Sequence, residues 1–436
     1  MNQTLFNLNT IPPLTVSDEA ALHAELAAFA EFGEETVIDA WHGEDLELPV
    51  YINEFWTAKQ RQANPLHEIS YRACFKPQLP RFFIDRLSAP GDIVLDPFMG
   101  RGTTPIEAAL AQRIPWGGDV SPLAKRLVEP RLTPPSNDEV ETRLKEIKKL
   151  CAAKSVLDAA DPDLLVFYNA NTLRDLVVLR EYLIQRESDG QLDSIDAWIR
   201  LVATNRLTGH STGFFSVYTL PPNQAVTADR QRKINAKREQ TPPFRDVFGI
   251  IEKKSKQLMK GLRDEDFSAL ERARGEAQFH TTSADQAAAH FAAESVSLVV
   301  TSPPFLDVVQ YAQDNWLRCW FNGIDASAVP MWNCRRVEDW TASMTAVMEQ
   351  LKQLLKPNGW VAFEVGEVRN GRIKLENHVV RAGVEAGLEP VLILINQQDF
   401  TKTANCWGVS NNTSGTNTNR IVLFRKCASN RQLTER

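Results

Sequence analysis

The segment Gly91-Asp92-Ile93-Val94-Leu95-Asp96-Pro97-Phe98-Met99-Gly100-Arg101-Gly102-Thr103-Thr104 restricts the fold more than any other part of the chain. Ile93–Leu95 reads as a short buried strand and the glycines as a tight turn. Pro105-Ile106-Glu107-Ala108-Ala109-Leu110-Ala111 reads as the helix that follows. A strand that turns directly into a helix belongs to a parallel sheet with crossover helices, and glycine in the turn lets backbone approach a ligand at the carboxyl edge of that sheet. The glycines are spaced G-x-G without a third, and no G-x-x-x-x-G-K-[ST] run occurs, so the ligand need not carry a phosphate. Asp119 stands 17 residues beyond Gly102, at the end of a second predicted strand, where a carboxylate can accept hydrogen bonds from ribose hydroxyls. A nucleoside with a charged, non-phosphate tail suits this arrangement; an ordinary tight strand–helix connection is the plainer reading of the same residues.

A second segment narrows the chemistry. Thr301-Ser302-Pro303-Pro304-Phe305 follows the apolar run Val296–Val300. The lone pair of a nucleobase amine is delocalised into the ring, so the amine becomes nucleophilic only when acceptors hold its hydrogens and push it towards tetrahedral geometry. The Ser302 hydroxyl and the Pro303 carbonyl can be those acceptors. Two prolines fix φ near −65° and remove two donors, which leaves a rigid backbone with free carbonyls. Phe305 offers a flat face to a planar base, which reaches such a pocket only when single-stranded or flipped out. A Pro-Pro turn closing a buried strand, with a core phenylalanine behind it, accounts for the same pentapeptide.

Together the two segments resemble the S-adenosylmethionine-dependent amino methyltransferases of DNA, which methylate cytosine N4 or adenine N6. The resemblance implies an α/β fold, with a Rossmann-like class I methyltransferase core and a mainly helical inserted domain, and S-adenosyl-L-methionine as cofactor. It assigns Asp96, Phe98, Gly100, Gly102 and Thr103 to cofactor binding and Ser302, Pro303, Pro304 and Phe305 to catalysis. Tyr71-Arg72-Ala73-Cys74-Phe75-Lys76-Pro77-Gln78-Leu79-Pro80 is similar to a further cofactor-binding element of the family, which adds Phe75, Lys76 and Pro77 to Asp119. Asp285 would lie near the cofactor adenine if the family spacing holds; as the residue before Gln286-Ala287-Ala288-Ala289 it suits a helix N-cap equally well. Serine before Pro-Pro is similar to the cytosine-N4 members, whereas adenine-N6 members more often carry Asp or Asn there. Ser297 departs from the family, whose members tend to have an acidic residue at that point. The resemblance implies double-stranded DNA as partner and leaves open a cognate restriction endonuclease.

Composition agrees with a soluble, cytoplasmic enzyme: 436 residues, 43% hydrophobic and 24% charged, suffice for a large core and a second domain. No apolar run of about 18 residues and no leader-like start are present, which argues against export or membrane spanning. Six scattered cysteines without C-x-x-C point to buried thiols rather than a metal site or a disulfide framework. No Pro-Cys dipeptide occurs, so the thiolate mechanism of ring-carbon methylation is not indicated. Direct transfer to an amine needs orientation rather than a covalent intermediate.

The expected organisation is an N-terminal extension over 1–60, a methyltransferase core from 61–137 and 280–428, and a helical insert over 138–279. Within the insert, Asp138–Ala153 and Leu173–Ile184 carry helical apolar periodicity. Arg230 to Arg263 holds eleven Lys or Arg against three Asp or Glu in a chain of net charge −6, a concentration of positive charge suited to phosphate contact. A solvated helix face is the alternative. Asn223, Gln224, Arg230 and Arg232 are candidates for reading base edges, with Lys233, Lys237 and Arg238 beside them on the expected DNA-binding surface. Near the C-terminus, Val391–Asn396 and Ile421–Phe424 suggest an antiparallel pair closing one edge of the sheet, and the polar loop Asn411–Asn419 either approaches DNA or forms a flexible turn.

Overall fold

The computed structural model describes residues 18–43, 45–57, 63–71, 74–155, 161–219, 226–304, 306, 311–332, 334–368, 373–397 and 418–428. Phe305, Asn223, Gln224 and all but the last two residues of the Asn411–Asn419 loop lie outside them.

Among the described residues there are eleven strands: β1 (Val37–His42), β2 (Glu47–Asn53), β3 (Ile93–Asp96), β4 (Ile114–Asp119), β5 (Gln278–Thr281), β6 (Val296–Thr301), β7 (Leu355–Val365), β8 (Glu367–Val368), β9 (Ile373–Lys374), β10 (Glu389–Gln397) and β11 (Thr418–Arg425). Nine form one sheet in the order β1-β2-β10-β11-β7-β6-β3-β4-β5, while β8 and β9 pair separately. Strands β7, β6, β3, β4 and β5 run parallel, and β11 lies antiparallel between β7 and β10. The chain leaves β3 towards β4 and β5 and returns as β6 on the other side of β3. The carboxyl ends of β3 and β6 therefore flank the switch point at which open α/β sheets bind ligands.

The pair β10–β11 is not the edge that the sequence suggests. Val391–Ile395 is buried throughout, and a strand covered on both faces needs a partner on each side. Residues 37–53 provide it: β2 pairs parallel with β10, and β1 with β2. Part of the segment expected as an extension is thus built into the sheet.

Thirteen α-helices are found among the described residues. The first four are α1 (Glu19–Ala27), α2 (Gln78–Leu87), α3 (Thr103–Leu110) and α4 (Pro122–Val128). The next six are α5 (Asn137–Leu150), α6 (Ala170–Ser188), α7 (Ser194–Thr204), α8 (Ala228–Lys237), α9 (Val247–Met259) and α10 (Asp264–Arg274). The last three are α11 (Tyr311–Phe321), α12 (Val337–Leu354) and α13 (Leu375–Glu385). Alternate strand residues feed two cores. Val94, Leu298, Val300, Ala362 and Leu394 pack with α1 and α2, and Leu95, Val299, Phe363, Ile393 and Val422 pack with α12 and α13. Helices α5, α6, α7, α9 and α10 form a third core that also holds Ile106 of α3, Leu123 of α4 and Leu317 of α11. The helical segment is therefore continuous with the core rather than tethered to it. Among the described residues no helix is long and apolar enough to cross a membrane.

The two glycines of the turn differ. Gly102 has φ +78°, and a Cβ there would meet Val128 Cγ2 at 2.3 Å and Arg131 Nη2 at 2.9 Å; Gly100, φ +48°, would place its Cβ 3.7 Å from Tyr71 Cε1, an ordinary contact. Gly102 is needed for packing, whereas a Cβ at Gly100 would meet only ordinary contacts. Gly102→Ala is expected to lose about 2–4 kcal/mol in equilibrium denaturation, since left-handed strain and overpacking add, against about 1 kcal/mol for Gly100→Ala. Equal losses would refute this division.

Candidate active site

The end of β3 and the end of β6 are joined directly. Thr301 Oγ1 donates to Asp96 Oδ1 at 2.6 Å, and the backbone N–H of Phe98 donates to the same oxygen at 3.1 Å. Thr104, in the first turn of α3, donates to the Val300 carbonyl at 3.0 Å. Asp96 and Thr301 are both almost fully buried. The glycine turn and Ser302-Pro303-Pro304 thus leave adjacent strands from one bonded pair. Asp96, expected among the cofactor contacts, is bound up in this bridge.

Asp119 closes the turn from β4. Its Oδ2 accepts the Gly100 N–H at 2.9 Å and its Oδ1 accepts the Ser121 N–H at 2.8 Å. A carboxylate oxygen has two acceptor positions, so each retains one for a ligand hydroxyl. Burial pushes Asp119 up to about 6, against the two backbone donors that favour its charged form. From the neighbouring strand, Asp285 enters a short 3-10 turn, Ala284–Ala289. The cap position there is Ser283, so the N-cap reading of Asp285 does not apply. Among the described residues the buried Asp285 Oδ1 has no hydrogen-bond partner. Such a group is costly unless a ligand donor meets it.

Two arginines fasten the glycine turn. Arg101 donates from Nη1 to the Ile69 carbonyl at 2.9 Å, from Nη2 to the Phe75 carbonyl at 3.1 Å, and from Nε to Thr103 Oγ1 at 3.0 Å. The segment holding Phe75, Lys76 and Pro77 is thereby tied to the turn, with Pro77 directly before α2. Arg131 holds the turn from behind through the carbonyls of Leu127, Leu66 and Arg101. Phe98 packs edge-on against Trp332, with ring centroids 5.8 Å apart.

On the β6 side, Trp340 Nε1 donates to the Pro304 carbonyl at 3.0 Å, which fixes the Pro-Pro backbone. The Pro303 carbonyl accepts no hydrogen bond among the described residues. Behind Ser302 lies a residue that sequence reasoning missed: Glu364 of β7. It accepts from Asn419 Nδ2 at 3.0 Å and is 6% exposed. Burial raises its carboxyl above the ordinary range, and hydrogen bonds from Ser302 and Asn419 oppose the rise. The available signal was a single carboxylate inside the apolar run Trp360–Val365.

The expected DNA contacts divide. Arg230, Lys233 and Lys237 are exposed and, at spacings of three and four, share one face of α8. The opposite face is fastened by amides: Gln231 Nε2 donates to the Tyr218 carbonyl at 3.1 Å and Asn235 Nδ2 to the Val166 carbonyl at 2.7 Å. Arg232 is engaged by Asp163 and Asp229 at 2.5 and 2.6 Å. The Arg238 guanidinium lies 3.8 Å from the Tyr218 ring centroid.

Burial pushes Asp96 up to about 7, against the bonds from Thr301, Phe98 and Thr104. A carboxyl raised on folding favours the native state below its unfolded pKa, and that advantage disappears as pH rises through the folded value. Stability is therefore expected to fall between about pH 4 and pH 7, by up to about 4 kcal/mol. Asp96→Asn should flatten this slope in melting curves taken across that window. An unchanged slope would show that Asp96 does not titrate there.

Residues 36–128 match the family model described as DNA methylase. Three solved structures show likeness at low similarity. A Thermus thermophilus protein assigned as a DNA modification methylase, complexed with S-adenosyl-L-methionine, is 22% identical over 35% of this chain and 56% of its own, with TM-score 0.22. TrmN from Thermus thermophilus is 11% identical over 81% of this chain and 50% of its own, with TM-score 0.31. The rRNA methyltransferase aviRa from Streptomyces viridochromogenes is 13% identical over 83% of this chain and 89% of its own, with TM-score 0.31. The chain spans about half the length of the first of these, and no curated protein matches. The structural likenesses are too slight to carry an assignment. The family match runs from β1 through α4 and so includes the glycine turn and Asp119.

Proposed function

We propose that the protein transfers a methyl group from S-adenosyl-L-methionine to an exocyclic amine of a DNA base, cytosine N4 before adenine N6. The observation that carries this reading is the bonded pair Asp96–Thr301, which starts the cofactor turn and the Ser302-Pro303-Pro304 loop at one point of the sheet. The cofactor supplies a methyl group on a sulfonium. The residues present fit it: Asp119 keeps acceptor positions for ribose hydroxyls, and Asp285 Oδ1 suits an adenine amine.

On the substrate side, Ser302 and the Pro303 carbonyl accept the hydrogens of the target amine and orient its lone pair. Glu364 accepts the Ser302 hydroxyl and so turns the serine oxygen towards the amine. Its raised carboxyl is also suited to share the proton that the methylated amine must release. Phe305 is proposed to stack on the base. Ser302 favours cytosine. The target base reaches the loop by flipping out of duplex DNA, whose phosphates are held by Arg230, Lys233 and Lys237, with Arg238 beside them. Asn223, Gln224 and Arg232 remain the proposed base readers, Arg232 by exchanging its carboxylate partners.

Nucleoside mass spectrometry of DNA treated with the protein and labelled cofactor is expected to give N4-methylcytosine. N6-methyladenine would keep the reaction and replace the base; product only in RNA or protein would replace the substrate. Ser302→Ala should lower single-turnover transfer by about 10- to 1,000-fold with calorimetric cofactor affinity unchanged, the pattern of an interaction made with the reacting group. Neutralising Arg230, Lys233 and Lys237 together should reduce the slope of log affinity against log salt by about 0.9 for each phosphate no longer neutralised. An unaltered slope would move the DNA to another face.

A further inference from the structure

Helix α11 begins nine residues beyond Ser302 and is fastened on several sides. The Tyr311 phenol, at its first residue, is hydrogen-bonded to Ser121 Oγ, and both side chains are buried. The Ser121 N–H donates to Asp119 Oδ1 at 2.8 Å, and Asp119 Oδ2 accepts from Gly100 at 2.9 Å. A hydrogen-bonded route therefore joins the start of α11 to the cofactor turn. The rest of α11 is anchored elsewhere. Trp316 Nε1 donates to the Val226 carbonyl at 3.1 Å, Arg318 Nη2 to the Ser70 carbonyl at 2.8 Å, and Arg180 Nε to the Trp320 carbonyl at 2.7 Å. Burial keeps the phenol protonated, so it retains its donor.

We propose that Tyr311 is a positioning residue for methyl transfer, its bond to Ser121 holding the first turn of α11 against the carboxylate expected to hold the cofactor ribose. The inference rests on the function proposed above. Tyr311 acts through Ser121 and leaves Asp119 its two backbone donors, so it governs alignment rather than cofactor affinity. A misplacement of about 1 Å at a reacting centre costs on the order of 100-fold in rate.

Tyr311→Phe removes one oxygen and retains the ring. Single-turnover transfer is expected to fall about 10- to 100-fold, with cofactor affinity by calorimetry within about threefold. Ser121→Ala reaches the same bond from the other side and should give a similar fall, and the double variant should be no slower than the slower single one. Hydrogen–deuterium exchange of the cofactor-bound protein supplies a readout independent of turnover: the first turn of α11 exchanges faster in Tyr311→Phe, while Trp316–Phe321 exchanges as in the wild type. Unchanged exchange in that first turn, or losses that multiply in the double variant, overturns the proposal. No transfer by the wild-type protein to any nucleic acid would refute the functional reading instead, with the exchange result still deciding the role of the Tyr311–Ser121 bond.

Discussion

The hydrogen bond between Thr301 and Asp96 sits where two requirements of the fold meet. A doubly wound sheet opens a crevice where successive strands depart in opposite directions, here between β3 and β6. Its walls are loops that the sheet ladder alone does not align beyond the last paired residue. A buried hydroxyl-to-carboxylate bond of 2.6 Å extends that alignment by one step, so the glycine turn and the Pro-Pro loop start from a common point. The cost is a carboxyl held well above its ordinary range. A site that must hold a donor and an acceptor in register has reason to keep a costly group there, since small errors of placement weigh heavily on rate.

The same reasoning accounts for the buried arginines. Arg101 and Arg131 face backbone carbonyls rather than carboxylates: Ile69 and Phe75 for the first, Leu127, Leu66 and Arg101 itself for the second. A planar guanidinium with five donors can bind several carbonyls that lie in no common strand or helix. Segments far apart in sequence, 66–69, 75, 101 and 127–131, are thereby held round one turn. Gly102 is required because Val128 and Arg131 occupy the space a side chain would need.

Much of this was legible in the chain. Ile93–Asp96, the two glycines and Thr301-Ser302-Pro303-Pro304 carry their local structure in their composition, because strand, turn and rigid loop each draw on distinctive residues. Pairing was harder to read. Val37–His42 and Glu47–Asn53 look like any short hairpin, and nothing local reveals that β2 lies parallel to β10, more than 300 residues away. Glu364 and Asn419 enter the site only because β7 and β11 are neighbours, and Tyr311 reaches Ser121 only through the placement of α11. The charge count of Arg230–Arg263 located a basic segment without telling outward residues from paired ones. Arg230, Lys233 and Lys237 share a face, while Arg232 turns to Asp163 and Asp229.

The continuity of the third core bears on how the helical segment and the site act together. Leu317 and Phe321 of α11 are buried among residues of α5, α6, α7 and α9, and Trp316 is bonded to Val226, just before α8. The helix that follows the Pro-Pro loop is therefore packed into the body that carries the basic face. Close-packed interiors shift as units rather than deform smoothly. In this architecture the sheet fixes the loops relative to each other, and the helical body holds α11, whose Tyr311 reaches Ser121 beside Asp119.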